Sequence, residues 1–315
     1  MKTDYQTKYF RLLFFALLLT VFSVHAQTTV PFEKRYENSG INGDLTIIGN
    51  AILGESADTP YNGDGQNNDI DMVFIDIDND SNTFNSSSAK FTTSNCNRVV
   101  YVGLYWGAVL SPDELEPTKI KFKIPGNSYL DIEADEQLDW IYYKDVTDIV
   151  TSNNSVSGDY YVANVSTSQG FNSSAGWSMV IVYEDPTESR KYISTFDGFS
   201  AVARSPNDVV DFSYSGFTTP PSGPVEGRVG IVALEGDQTR LGDQLLFKAD
   251  GNAGFTALYD NENEVDNFFN GKITKDGSQV MDRNLNSTNT LGWDQKLLNL
   301  SDINVNNSLI GNNET

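Results

Sequence analysis

The chain has 315 residues, and its 43 acidic side chains outnumber 21 basic ones, which gives a formal net charge of −22. This balance excludes a basic nucleic-acid-binding face and disfavours anionic membranes, whereas it suits divalent cations outside the cell. Because the only histidine is His25 and the only cysteine is Cys96, residues 27–315 offer neither Ser-His-Asp nor Cys-His catalysis, and no disulfide can form within the chain.

Residues 1–26 have the pattern of a secretory signal peptide. Lysine and arginine side chains precede an apolar run over 12–24, and Ala26 places a small residue at the cleavage point. The apolar run is shorter than the stretch of about 20 residues that spans a bilayer, and no later segment is long and apolar enough to do so. We therefore predict export, cleavage after Ala26, a secreted or cell-surface location and no transmembrane segment in the mature chain.

Short runs rich in Val, Ile, Tyr and Phe, bounded by Gly, Pro, Asn, Asp and Ser, follow one another along the remaining chain. The predicted strands cover 44–53, 70–77, 98–109, 119–124, 139–146, 159–165, 177–184, 191–202, 209–217, 228–234 and 244–249. Only 145–152 favours a helical turn. Many short strands separated by turns predict an all-β fold, an antiparallel, jelly-roll-like β-sandwich.

Two of these strands, 98–109 and 177–184, are apolar on both faces, so we expect both faces to be covered. The strand over 119–124 alternates instead, with Ile120 and Phe122 predicted to point inwards and the lysines outwards.

Composition also predicts the organisation of the chain. After the signal peptide, 27–41 is an N-terminal extension and 42–315 is the sandwich domain. The Pro- and Gly-dense stretch 218–227 marks either a sub-boundary before a second, smaller β region or a long connection within one sandwich. The chain is Asn- and Asp-rich beyond residue 250 and stops without a closing strand, so we expect it to be truncated at its C-terminus.

Several short sequence segments, the phrases given next in chain order, together resemble one protein family. They are NGDLTIIGNAIL, FIDIDND, YVGLYWGA, YYKDVTDIV, GWSMVIVYEDP, FDGFSAV, ALEGDQTRLGDQLLF, DNFFNGKIT and TLGWDQKLLNL. The chain is similar, over roughly 42–310, to the N-terminal domain of large secreted cell-surface proteins of gliding bacteria, which are adhesin-like, gliding-motility-associated and exported by the type IX system. The downstream repeats and sorting domain of such proteins are missing from this sequence.

The resemblance implies a non-enzymatic domain with a structural or adhesive role, no catalytic residues, and other surface proteins or extracellular glycans as partners. A lectin-like glycan-binding module is an alternative, which aromatic rings along one exposed face would favour. A glycosidase that uses two carboxylates is a further alternative. Its candidates are Glu184, Asp185, Glu235 and Asp237.

Three alternating aspartates, Asp76, Asp78 and Asp80, end the predicted strand 70–77. An EF-hand loop that began at Asp76 would need Gly at its sixth position and Glu at its twelfth, where this chain has serine. We predict instead a surface Ca²⁺ site that joins these aspartates to Asp64 and Asp69 of the preceding loop. The alternative is a solvated acidic turn.

A second acidic turn contains Glu235, Asp237 and Asp243 together with Arg240. This turn is either a cage of oxygen ligands or a charge-paired hairpin.

Overall fold

The computed structural model describes residues 27–94, 96–109, 117–202, 208–217, 225–249 and 253–300. The predicted signal peptide, most of the stretch 218–227 and the tail 301–315 lie outside these residues. The strands are β1 (Gln27–Ala51), β2 (Leu53–Gly54), β3 (Val73–Phe74), β4 (Ser86–Phe91), β5 (Arg98–Ala108), β6 (Lys119–Lys123), β7 (Leu130–Glu133), β8 (Glu136–Leu138), β9 (Ile141–Asp145), β10 (Gly158–Ala163), β11 (Ala175–Glu184), β12 (Arg190–Ala201), β13 (Arg228–Gly236), β14 (Leu246–Phe247), β15 (Thr256–Ala257), β16 (Ile273–Lys275), β17 (Ser278–Gln279), β18 (Arg283–Asn284) and β19 (Gly292–Asn299). One short helix, α1 (Thr147–Thr151), lies where a helical turn is predicted.

Two sheets form the sandwich. One has the strand order β12-β1-β11-β5-β9-β8, and the other has the order β18-β4-β10-β6-β7. Neighbours within both sheets are antiparallel. The predicted all-β sandwich is therefore confirmed. Among the described residues, no helix has the length and apolar character needed to cross a membrane.

The main core lies between these two sheets. Trp106 on β5 is directly opposite Trp177 on β11, and both are buried together with Leu104. Phe122 on β6 and Tyr160 on β10 complete the same cluster from the second sheet. The inward position of Phe122 agrees with the alternation predicted for its strand.

β1 changes its partner along its length. Residues up to Asn42 pair with β12, and residues from Gly43 onwards pair with β11. The predicted extension 27–41 is therefore the half of β1 that pairs with β12. This half curls over the outer face of β5, where Tyr36 stacks on Tyr101 with ring centroids 4.5 Å apart.

Four of the strands after residue 227 form a third sheet, with the order β13-β19-β16-β17. Its β16–β19 pair is parallel. β19 packs on the face of β1 and β11 that points away from the main core, and its Gln295 donates to the Ile47 carbonyl at 3.1 Å. The central strand β11 is thus covered on both faces, as its sequence predicts.

Three predicted strands need correction. Within 70–77 only Val73–Phe74 is a strand, and within 244–249 only Leu246–Phe247 is one. The segment 209–217 forms no strand at all. Its aromatic side chains pack instead on the ribbon formed by β1 and β12. Ring contacts therefore hold this segment in place of the backbone hydrogen bonds of the predicted strand.

Candidate functional site

The predicted calcium loop carries carboxylates that already have hydrogen-bond donors. Asp78 Oδ1 accepts from the Asp80 amide and from the Thr83 hydroxyl, each at 3.0 Å, and its other oxygen accepts from Tyr129. Asp80 accepts from the backbone and the side chain of Asn82 at 2.9 and 2.8 Å. These contacts make the loop a series of carboxylate-capped turns.

The same contacts change the acidity of Asp78. Partial burial would raise the pKa of this carboxyl, but the hydrogen bonds from Tyr129, Asp80 and Thr83 outweigh burial and lower it. Asp78 is therefore a stable carboxylate without an added cation.

The other two predicted ligands lie on the loop between β2 and β3. Among the described residues, no hydrogen bond joins Asp64 or Asp69 to the loop over 76–80. Their loop is bound elsewhere, because Gln66 donates to Thr239 at 2.8 Å and accepts from Arg240 at 3.2 Å. A calcium site shared by Asp64, Asp69 and the loop over 76–80 stays a prediction.

Three segments, 66–69, 235–243 and 264–267, meet beside the third sheet, and we call this place the loop junction. Its second segment begins at a bulge in β13, where Glu235 has a positive φ of 68°. Asn67 donates its side-chain N–H groups to both carboxylate oxygens of the exposed Glu235, at 3.2 and 3.1 Å. The loop that precedes β3 is thus tied to the end of β13.

The loop junction contains buried oxygens without donors. Asn67, Asp237 and Asn267 are 1%, 8% and 4% exposed. No described residue donates a hydrogen bond to the Oδ1 atom of any of the three, nor to Oε1 of Gln238. Native proteins satisfy nearly all buried acceptors, so this concentration is unusual.

The orientation of both amides follows from their partners. The Nδ2 group of Asn67 faces the Glu235 carboxylate, and that of Asn267 donates to the Gln238 carbonyl at 2.7 Å. Both partners can only accept, so turning either amide around would place oxygen against oxygen. The Oδ1 atoms therefore face away from these partners.

Electrostatics distinguish Asp237 from Asp78. Burial raises the pKa of Asp237, Arg240 only partly offsets this effect, and the carboxylates of Asp294 and Asp69 raise it further. The Arg240 contact is long, at 3.5 Å. Burial and the neighbouring carboxylates thus disfavour the charged form of Asp237, which a nearby cation would stabilise.

Asp294 lies next to the loop junction. Unlike Asp237, it has a close counter-ion and several backbone N–H donors. It is fully buried, pairs with the buried Lys296 at 2.9 Å, and accepts from the backbone amides of Asn270, Gly271 and Lys272. This pair is a structural element, because both charges are satisfied inside the protein.

The remaining carboxylate candidates have ordinary surface partners. Glu184 forms an ion pair with Arg98 at 2.8 Å, and Asp185 accepts from Thr187 and Asn97. Glu184 also borders a shallow surface depression of about 540 Å³. Within the described ranges, no group of three or more His, Cys, Asp or Glu side chains is arranged to hold a metal ion.

An exposed aromatic face lies along the ribbon of β1 and β12. Phe212 stacks on Phe32 with centroids 4.9 Å apart, and Tyr214 lies against Phe196 at 5.6 Å. Phe212 is 47% exposed, so one side of its ring stays open to solvent. We call the surface of Phe212 and Tyr214 the aromatic face.

Comparisons with family models, with curated proteins and with solved structures found no match for this chain. Sequence reasoning singled out Glu235, Asp237 and Asp243, but it assigned the oxygens of the segment 62–69 to the loop over 76–80 and did not single out Asn267. The only signal for Asn67 and Asn267 is the density of Asn in the segments 62–69 and 263–270.

Proposed function

We propose that the chain is an exported, non-enzymatic domain of a cell-surface protein, with a structural or adhesive role. Support comes from where the family-like phrases fall in the fold. Four of the nine phrases occupy β1, β5, β11 and β19, which are the central strand β11, its two sandwich neighbours and the strand that packs on their outer face. Two others cover the acidic loops over 76–80 and 235–243. The four strand phrases concern residues that build the sandwich, and they favour a scaffold over a reaction site.

Export can be tested by releasing surface peptides from intact cells with a protease. We expect peptides of this chain in the released fraction, with the first residue at Gln27, and a variant that lacks 12–24 should stay inside. Recovery of the intact chain, still starting at Met1, in the membrane fraction would contradict the proposal. Type IX export predicts in addition that loss of that system retains the chain in the periplasm.

The adhesive role has its own test. Cells without the chain should attach less to surfaces, and the wild-type chain should restore attachment. Partners are proposed to be other surface proteins or extracellular glycans. A chemical turnover by the purified chain that disappears on changing one Asp or Glu would replace this proposal with the carboxylate glycosidase.

Glycan binding is a second candidate, which the aromatic face favours. Sugar rings stack on open aromatic faces, and Phe212 offers one. Phe212→Ala should weaken binding of a soluble polysaccharide by at least about tenfold, equivalent to about 1.4 kcal/mol. Phe255→Ala is the matched control, because Phe255 is also exposed but lies away from the ribbon contacts. Equal losses in both variants would argue against a site at the aromatic face.

A further inference from the structure

The buried oxygens of the loop junction come from three separate segments of the chain. Asn67 belongs to the loop before β3, Asp237 to the turn after β13, and Asn267 to the connection before β16. All three offer an acceptor and no described residue offers a donor to it. An acceptor shut away from water and left without a donor is destabilising, so a group of them indicates a bound species.

Asn67 and Asn267 are bonded to residues that flank Asp237 in the chain. Asn67 is bound to Glu235, two positions before Asp237, and Asn267 is bound to the carbonyl of Gln238, one position after it. The three side chains are therefore held in one neighbourhood by contacts that leave their Oδ1 atoms free.

We propose that the loop junction binds one Ca²⁺ ion through the Oδ1 atoms of Asn67, Asp237 and Asn267. Carboxylate and amide oxygens supplied by loops are the ligands that calcium prefers, and calcium tolerates their irregular geometry better than magnesium does. Asp69 adds negative charge beside Asp237. The ion would fasten the loop of the sandwich to the third sheet, and this function is independent of the proposed surface role.

Thermal unfolding of the secreted chain tests the proposal. Extracellular sites of this kind bind calcium at about 10⁻⁴ to 10⁻³ M. At a calcium concentration about tenfold to a hundredfold above Kd, the Tm should rise by roughly 3 to 10 °C relative to chelator. Magnesium at the same concentration should give a smaller rise.

Asp237→Asn keeps the size of the side chain and removes its charge. In chelator this variant should be at least as stable as the wild type, because it removes a buried carboxylate oxygen without a donor. In calcium the wild type should become the more stable protein. The double variant Asp78→Asn with Asp80→Asn is the matched control and should keep the calcium response. If the control alone loses the response, calcium binds at the loop over 76–80 and the proposal is wrong.

Terbium luminescence gives a second measurement that needs no variant to fold. Trp293 pairs with Leu234, next to the loop junction, whereas Asp78 contacts Tyr129. Excitation selective for tryptophan should sensitise bound Tb³⁺, and calcium should displace it at a stoichiometry of one per chain. Identical melting curves in calcium and chelator, together with no sensitised emission, would mean that ordered water satisfies these oxygens and would overturn the proposal.

Discussion

The two acidic loops differ in their supply of donors. In the loop over 76–80, Asp78 and Asp80 receive hydrogen bonds from hydroxyls, amides and backbone N–H groups. In the turn over 235–243, Asp237 is more deeply buried, and one of its oxygens has no donor among the described residues. Two stretches that are similarly rich in carboxylates in the sequence therefore differ in the balance between acceptors and donors after folding.

The largest expected effect comes from removing a charge beside the loop junction. Lys296→Met should lower the free energy of unfolding by about 3–5 kcal/mol, because it leaves Asp294 buried without its counter-ion. Urea unfolding measures this loss. The double variant Lys296→Met with Asp294→Asn should recover part of it, because Asn removes the charge and keeps an oxygen for the backbone amides. A loss below about 1 kcal/mol would show that the buried pair matters less than its burial indicates.

Asp78→Ala should cost about 1–2 kcal/mol, because Tyr129, Thr83 and the Asp80 amide lose their shared acceptor. We expect the same cost in calcium and in chelator, which would sharpen the contrast with Asp237. Chemical unfolding in both buffers is the measurement. A cost that appears only in calcium would instead support the site predicted from sequence.

The pH dependence of the two loops should have opposite signs. The lowered pKa of Asp78 stabilises the fold above the unfolded value of about 3.8, and this contribution is lost as pH falls through the folded pKa. The raised pKa of Asp237 stabilises the fold below about 3.8, and this contribution is lost as pH rises through the folded pKa.

Urea unfolding in chelator from pH 7 to pH 3 would separate the two effects. The difference between wild type and Asp78→Asn should shrink towards pH 3. The difference between wild type and Asp237→Asn should be greatest near pH 7. Parallel curves for the two variants would remove the distinction between the loops.

The smallest effect is expected for a surface ion pair between β6 and β7. Lys121 contacts the exposed Asp131 at 2.7 Å. Lys121→Ala should therefore change the free energy of unfolding by less than about 1 kcal/mol, and added salt should shrink that change further. This variant sets the baseline against which the loop variants are judged in the same unfolding assay.

The strands that form the centre of the sandwich were predictable, because β5 and β11 are apolar on both faces and rich in β-branched residues. The pairing register of β5 was not predictable. Its pairing with β11 skips Val100, so the main core takes Val102 and Leu104 at alternate positions but Val99 in place of Val100. A bulge of one residue leaves no mark in a continuous apolar run.

The candidate site was only half predictable for a related reason. Glu235, Asp237 and Asp243 stand out as charges close together in sequence. Asn67 and Asn267 are neutral, distant from them in the chain, and similar in type to many turn residues. Their role depends on burial and on which side of the amide faces a partner, and both are set by tertiary contacts.

The partner change in β1 has a consequence for the order in which the chain folds. Gln27 pairs with Ala201, and Ala51 pairs with Gly176, so β1 is made early and its partners late. During synthesis or passage through a membrane, β1 has no partner strand until β11 and β12 emerge. Such long-range pairing slows folding. The sheet around β1 therefore cannot be completed until residue 201 is available, which suits the proposed export of an unfolded chain.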